Sequence, residues 1–293
     1  MSHSTPDPNE EHGSVYDSLL GTDTSQWAFG TDFEDPLAGV DTTVPAELDA
    51  AELAAHCLAL GDDALVLSHR LSEWCSNAPD LEEDIALANI ALDLLGQARL
   101  LLARAAAADP SVVPPMPEGS PVPVEDALAF FREAIDFRNV RLVEVANGDF
   151  AHTIARLLLF STVRLAAFER LLRAGHAFGA DPVLSAIAAK GVKELTYHRD
   201  YAGRWFLTLA QGTEESRRRL VAGLTSVWSL YDELARAYEA GPEVDVVLDQ
   251  VLAVSGVDRP DVAPMSGGGH TEALSRMLAE MQVVARAHPM GLW

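Results

Sequence analysis

Apolar and small residues recur in steps of three and four along most of the chain, the period of an α-helix with one buried face. The longest run passes through Leu184, Ala188, Gly191, Leu195, Ala202, Trp205 and Leu209, with Asp181-Pro182 before it and Gly212 after it. A proline suited to a first turn predicts a helix from 182 that ends near 212. Upstream, Phe150, Ile154, Leu157, Ser161, Leu165, Phe168 and Leu172 form a stripe over about 150–174, capped by Asp149. An earlier helix is expected over about 46–76, started by Pro45 and kinked or loosened near Gly61; Leu60, Asp63, Leu67, Leu71 and Trp74 line its stripe, with Asp62 to one side. Asp80 and Glu83 then read as a capping box for a helix over about 81–107. That helix is apolar almost all round, the mark of an element covered on several sides. Six prolines between 109 and 124 make a loop, followed by a short helix near 125–135 and an irregular stretch through Asn147-Gly148. Thr213 caps a helix running to about 240, where Gly241-Pro242 stops it; a brief helix over 243–252 and a last one over 271–287 follow. No stretch alternates with period two for long, so the fold class is all-α.

Residues 1–44 break this pattern. They carry nine acidic side chains and no Lys or Arg, a composition that buries too little apolar surface to offset its ordering entropy. A disordered acidic tail (1–44) ahead of one helical domain (45–293) is expected, with Trp27, Phe29 and Phe33 as the tail's only docking candidates.

Composition narrows the partners. The 293 residues are 48% hydrophobic and carry a net charge of -23, with only 21 Lys and Arg that nowhere cluster. This argues against nucleic acid and against an anionic membrane. Cys57 and Cys75 lack metal-type spacing and read as free thiols. No apolar N-terminal run and no eighteen-residue hydrophobic span stand out, so a cytoplasmic protein with neither signal peptide nor transmembrane helix is expected.

The candidate chemistry lies at mid-height of the four long helices. His198 sits on an apolar stripe, which leaves a satisfied core histidine or a metal ligand open. Ferritin-like diiron bundles place a Glu on each of two helices and Glu-x-x-His on each of the other two. On this template Asp63 stands for one carboxylate and Asp93 for another, but Gly96 occupies the following histidine position. Ser161 and Leu195 take two further carboxylate positions, and His198 alone is a proper ligand; Glu194 is turned about a hundred degrees away. Three donors of six cannot counter the charge of two irons. Asp63, Asp93 and His198 are therefore expected to form one buried polar cluster, a single weakly held divalent ion being the alternative, with no catalytic residue and no metal ligand assigned. His69, His152 and His176 read as surface or packing residues, and Arg156 and Arg164 as ordinary salt-bridge partners, with a substrate phosphate as their alternative.

These residues carry a resemblance. The run Leu60-Gly-Asp-Asp-Ala-Leu-Val-Leu-Ser-His-Arg-Leu-Ser-Glu-Trp-Cys75 is similar to the C-type, structural subunit of the bacterial phenylacetyl-CoA epoxidase (phenylacetate-CoA oxygenase) complex. So are Ile85-Ala-Leu-Ala-Asn-Ile-Ala-Leu-Asp-Leu-Leu-Gly-Gln-Ala-Arg99, Asn147-Gly-Asp-Phe-Ala-His-Thr-Ile-Ala-Arg156, the segment 193–205 and Met277-Leu-Ala-Glu-Met-Gln282. The similarity spans residues 50–293 in collinear order. It implies a ferritin-like bundle with additional C-terminal helices and a non-catalytic role beside a homologous catalytic subunit that holds the diiron site. It further implies a reductase partner with NADPH, flavin and iron-sulfur, and epoxidation of the phenylacetyl-CoA ring in aerobic phenylacetate catabolism. A self-sufficient oxidase with an atypical metal site is the alternative.

Overall fold

The computed structural model describes residues 36–291, and among them there is no β-strand. Residues from Gly39 onward form one compact unit. The expectations for residues 1–35, with Trp27, Phe29 and Phe33, lie outside the described residues.

Aspartate caps set the starts of the four long helices. Asp49 accepts from the Ala51 and Glu52 amides at 2.9 and 3.0 Å and opens α1, Ala50–Ser72. This corrects the expected start at Pro45: an aspartate accepting two free amides nucleates more firmly than a proline that merely tolerates the first turn. α1 also stops short of Ser76, which takes a left-handed φ of 64°. Asp80 caps α2, Leu81–Ala108, and Asp149 caps α5, Phe150–Leu171. Asp181 caps α6, Pro182–Gln211, accepting from the Leu184 amide at 2.7 Å. The same carboxylate is fully buried against the Arg104 guanidinium, which also donates to the Thr42 carbonyl at 2.7 Å. Thr42 and Thr43 are thereby held by the helical unit, and the expected boundary moves back toward Gly39.

α1 and α2 pair as one hairpin, α5 and α6 as another, and α2 lies against α6. Hydrogen bonds from Arg164 to the Leu60 carbonyl of α1 and from Trp74, just past the end of α1, to Thr153 tie α5 to this side and close the four-helix core. This is a ferritin-like bundle with extra helices. Gly61 does not interrupt α1; a Cβ there would stand 3.0 Å from a Leu102 methyl, so the glycine permits close packing on α2. Gly191 does the same for α6 against α5, where a Cβ would fall 2.6 Å from the Phe168 ring.

Around this core α3, Val124–Phe130, packs on α2, and α4, Arg141–Glu144, on α1. The helix expected over 213–240 is two: α7, Glu214–Trp228, and α8, Tyr231–Ala237. The break falls where the Ser229 carbonyl accepts from the Met265 amide at 2.7 Å and Trp228 stacks on Tyr231 at 5.0 Å. α9, Pro242–Ser255, and α10, Glu272–Ala287, complete the order.

Two helices, α2 and α5, are long and apolar enough by length and composition to cross a bilayer, against the expectation of no such span. For α5 the cause is core burial, since most of its apolar window lies inside the fold. In α2 less than half is covered, and Leu81, Ile85, Leu92 and Leu95 are exposed by 44% or more.

Candidate functional site: the polar centre of the bundle

The expected positions separate into two groups rather than one. His198, fully buried on α6, places Nε2 3.0 Å from Asp93 Oδ2 on α2, and the Asp93 side chain remains 36% exposed. Asp63 takes no part in this pair. Its Oδ1 accepts from the Val140 amide and its Oδ2 from the Tyr238 hydroxyl, each at 2.8 Å. The single cluster of Asp63, Asp93 and His198 is thus corrected: Asp93 faces a solvent-touching edge, while Asp63 is held inside by the residue preceding α4 and the end of α8. Burial pushes the Asp63 carboxyl up to about 7, against the pull of Val140, Tyr238 and the Arg164 charge.

Between the two groups stands Arg164, fully buried on α5. Its Nε donates to Gln97 Oε1 at 3.1 Å, and Nη1 to the Leu60 carbonyl at 3.1 Å and the Tyr238 hydroxyl at 2.7 Å. The guanidinium also lies over the Phe168 ring, 4.7 Å from its centroid. Gln97 passes the chain on, donating at 2.9 Å to Glu194, which pairs with Lys190. Glu194 was expected to turn away from the site; the length of its side chain brings it back to Gln97. A continuous hydrogen-bonded path therefore runs from Asp63 through Tyr238, Arg164 and Gln97 to Glu194.

Neither interior arginine forms the expected salt bridge among the described residues. Arg156 instead donates to the Val145 carbonyl at 2.6 Å and to Asn147, and burial pushes its guanidinium down to about 9. Backbone and amide oxygens are the acceptors because helix α5 faces the closed centre, where few carboxylates reach. Asp62, read as lying to one side, is fully buried and paired with Arg132, and also accepts from the Arg138 amide at 2.9 Å.

The diiron template implied by the fold family does not fit these residues. Ser161 commits its hydroxyl to the Leu157 carbonyl at 2.6 Å, and Leu195 is fully buried with no donor atom. Gly96 likewise offers none. A permanently charged guanidinium occupies the space between Asp63 and Gln97, where cations would meet repulsion in place of bridging carboxylates. Among the described residues no three His, Cys, Asp or Glu side chains converge as metal ligands.

Sequence reasoning missed Arg164, Tyr238 and Arg132 as organisers. Arg164 carried a signal, since it falls between Ser161 and Phe168 on the apolar stripe of α5. Tyr238 and Arg132 carried none, as each depends on a turn whose path periodicity does not fix.

A family model described as phenylacetic acid catabolic protein matches residues 38–293. The chain belongs to this family. A relative, the C-type subunit of the 1,2-phenylacetyl-CoA epoxidase of Escherichia coli (strain K12), is 39% identical over 266 residues. The match covers 83% of this chain and 99% of that relative. The phenylacetic acid catabolic family thus includes a chain whose mid-bundle positions are filled by a guanidinium, a serine, a leucine and a glycine.

Proposed function

We propose that this chain is a non-catalytic structural subunit of a multicomponent monooxygenase that epoxidises the ring of phenylacetyl-CoA during aerobic phenylacetate catabolism in the cytoplasm. The reading is supported by near-complete coverage of a relative named as part of that epoxidase. The observation that carries the structural role is Arg164 bonded to Gln97 and Tyr238, where the fold's metal chemistry would require anionic donors. The diiron centre would then belong to a homologous catalytic subunit, and NADPH, flavin and iron-sulfur to a reductase. What this chain's own residues contribute is a rigid, internally bonded bundle and a surface for that partner.

The surface suggested is the open face of α2. Leu81, Ile85, Ala88, Leu92 and Leu95 follow one another in steps of four, three, four and three and are all exposed. That spacing is the seam by which one helix packs lengthwise on another. At about 1.5 Å per residue the stripe is about 20 Å long, enough for several turns of a partner helix. Its flank carries Asp93, already engaged with His198 of α6, which suits a protein partner better than lipid.

Co-expression with a homologous diiron subunit, followed by iron analysis of each separated chain, tests the reading. The expected result is a stable hetero-oligomer with iron in the partner and ring epoxidation only in the assembly with its reductase. Tightly held iron in this chain alone, with single-turnover oxidation of phenylacetyl-CoA, would establish the alternative of a self-sufficient oxidase.

A further inference from the structure

Beside Asp63 a pocket of about 260 Å³ opens between α1, α5, the end of α8 and the turn at 176–178. His56 and His176 both line it, and His56 Nε2 and His176 Nδ1 are buried without a hydrogen-bond partner. Arg164 stands behind the pocket-lining residues Leu60, Phe168 and Tyr238, and its Nη2 is a third orphaned nitrogen. A buried polar atom left unpaired costs free energy, and the two on the wall, His56 Nε2 and His176 Nδ1, mark a place where a ligand would supply acceptors.

The charges around the pocket define that ligand's sign. Arg138 lines it, is exposed, and makes no side-chain hydrogen bond or ion pair among the described residues. Its charge acts weakly on Asp62, which is already paired with Arg132. Arg170 also lines the pocket and is committed to the Tyr238 carbonyl and to Glu243. Of the two carboxylates on the wall, Asp63 already gives both oxygens to Val140 and Tyr238, and Glu239 is exposed to solvent. The His56 imidazole is pushed down to about 4, chiefly by burial, and acts as a neutral hydrogen-bonding group. Burial disfavours charge of either sign here, and the uncommitted Arg138 guanidinium favours an anion over a cation. The rest of the wall is largely apolar, and Phe178 stacks on His56 at 4.5 Å.

We propose that this pocket binds a small organic monocarboxylate, which pairs with Arg138 and accepts hydrogen bonds from His56 and His176 while its hydrocarbon part lies on Phe168 and Phe178. A single charge suits the site better than a phosphate dianion, because one free arginine and two imidazoles offer few donors and much of the wall is apolar. This site is independent of the subunit reading, since its test needs no partner and no turnover.

The test uses the full-length chain with butyrate, the uncharged butyramide, and inorganic phosphate. Binding is read from the imidazole NMR signals of His56 and His176 and by calorimetry. Butyrate is expected to shift both imidazoles saturably, butyramide neither, and phosphate to bind more weakly than butyrate. Arg138→Gln should weaken butyrate about tenfold or more, the loss of one charge-assisted hydrogen bond, with an unchanged melting temperature because the side chain is exposed. Absence of saturable shifts, equal binding of butyramide, tighter binding of phosphate, or an Arg138→Gln variant of unchanged affinity would each overturn the assignment.

Discussion

The Tyr238 hydroxyl donates to Asp63 Oδ2 across 2.8 Å, tying the end of α8 to the middle of α1 over a separation of 175 residues. Arg164 donates to the same hydroxyl, so Tyr238 transmits a positive charge to a carboxylate that the guanidinium does not itself bond. Burial acts on both ends of this contact: it pushes the Asp63 carboxyl up to about 7 and holds the Tyr238 phenol well above its ordinary value.

Asp63 should therefore make stability fall with rising pH. Its folded pKa of about 7 exceeds an unfolded value near 3.8, so the folded state keeps a proton that the unfolded state has released. The Asp63 contribution is fully favourable below about pH 4 and is lost as pH rises through about 7, with a total on the order of a few kcal/mol. Asp63→Asn removes this titration. Melting temperatures of both proteins at pH 5 and pH 8 check it: the variant should gain on the wild type as pH rises, and a constant difference would refute the assignment.

Arg164→Leu should be among the most damaging substitutions in the chain. It leaves the Leu60 carbonyl, Gln97 and Tyr238 without their donor inside a closed centre, and removes the charge that helps Asp63 ionise. The expected cost is about 3–5 kcal/mol, the range for breaking a buried charged network. Arg164→Lys should recover only part of it, because an ammonium cannot reproduce the fork that reaches all three acceptors. Denaturant midpoints of the three proteins provide the comparison.

The helices, their caps at Asp80, Asp149 and Thr213, and the donor-poor character of Gly96, Ser161 and Leu195 were legible in the sequence. Each depends on residues within a turn or two of one another, where periodicity and capping chemistry act. What was not legible depends on tertiary contacts. Asp63 and Asp93 share a template but not a partner, because the Val140 amide ahead of α4 reaches one and solvent reaches the other. The division into α7 and α8 arises from a hydrogen bond to Met265, distant in sequence. Arg164 lay within reach of a stricter reading, since a charge on an apolar stripe requires an acceptor in the core.

His198→Ala should be milder than loss of Arg164. Asp93 is 36% exposed, so water can replace the imidazole, and the cost is mainly one hydrogen bond and the cavity left by the ring. About 1–3 kcal/mol is expected. In an assembled epoxidase the variant should lower activity only in proportion to the folded subunit present. Turnover per assembled complex is the measurement; a fall in that quantity would give His198 a role beyond packing.

The last expectation concerns the exposed seam of α2. Leu92 is 63% exposed and Ile85 54%, and both lie with Leu81 and Leu95 on one narrow stripe. Burying such a side chain on a partner is worth about 1.5–3 kcal/mol. Replacing Ile85 and Leu92 together by aspartate would forfeit that gain and force two carboxylates into an apolar contact. A loss of association by at least two orders of magnitude is expected. Because both residues already face solvent in the isolated chain, its melting temperature should change little. Size exclusion of the co-expressed pair, alongside thermal unfolding of the variant alone, separates the outcomes. Dissociation with an intact fold places the partner on α2, whereas an undisturbed complex moves the interface to another face of the bundle.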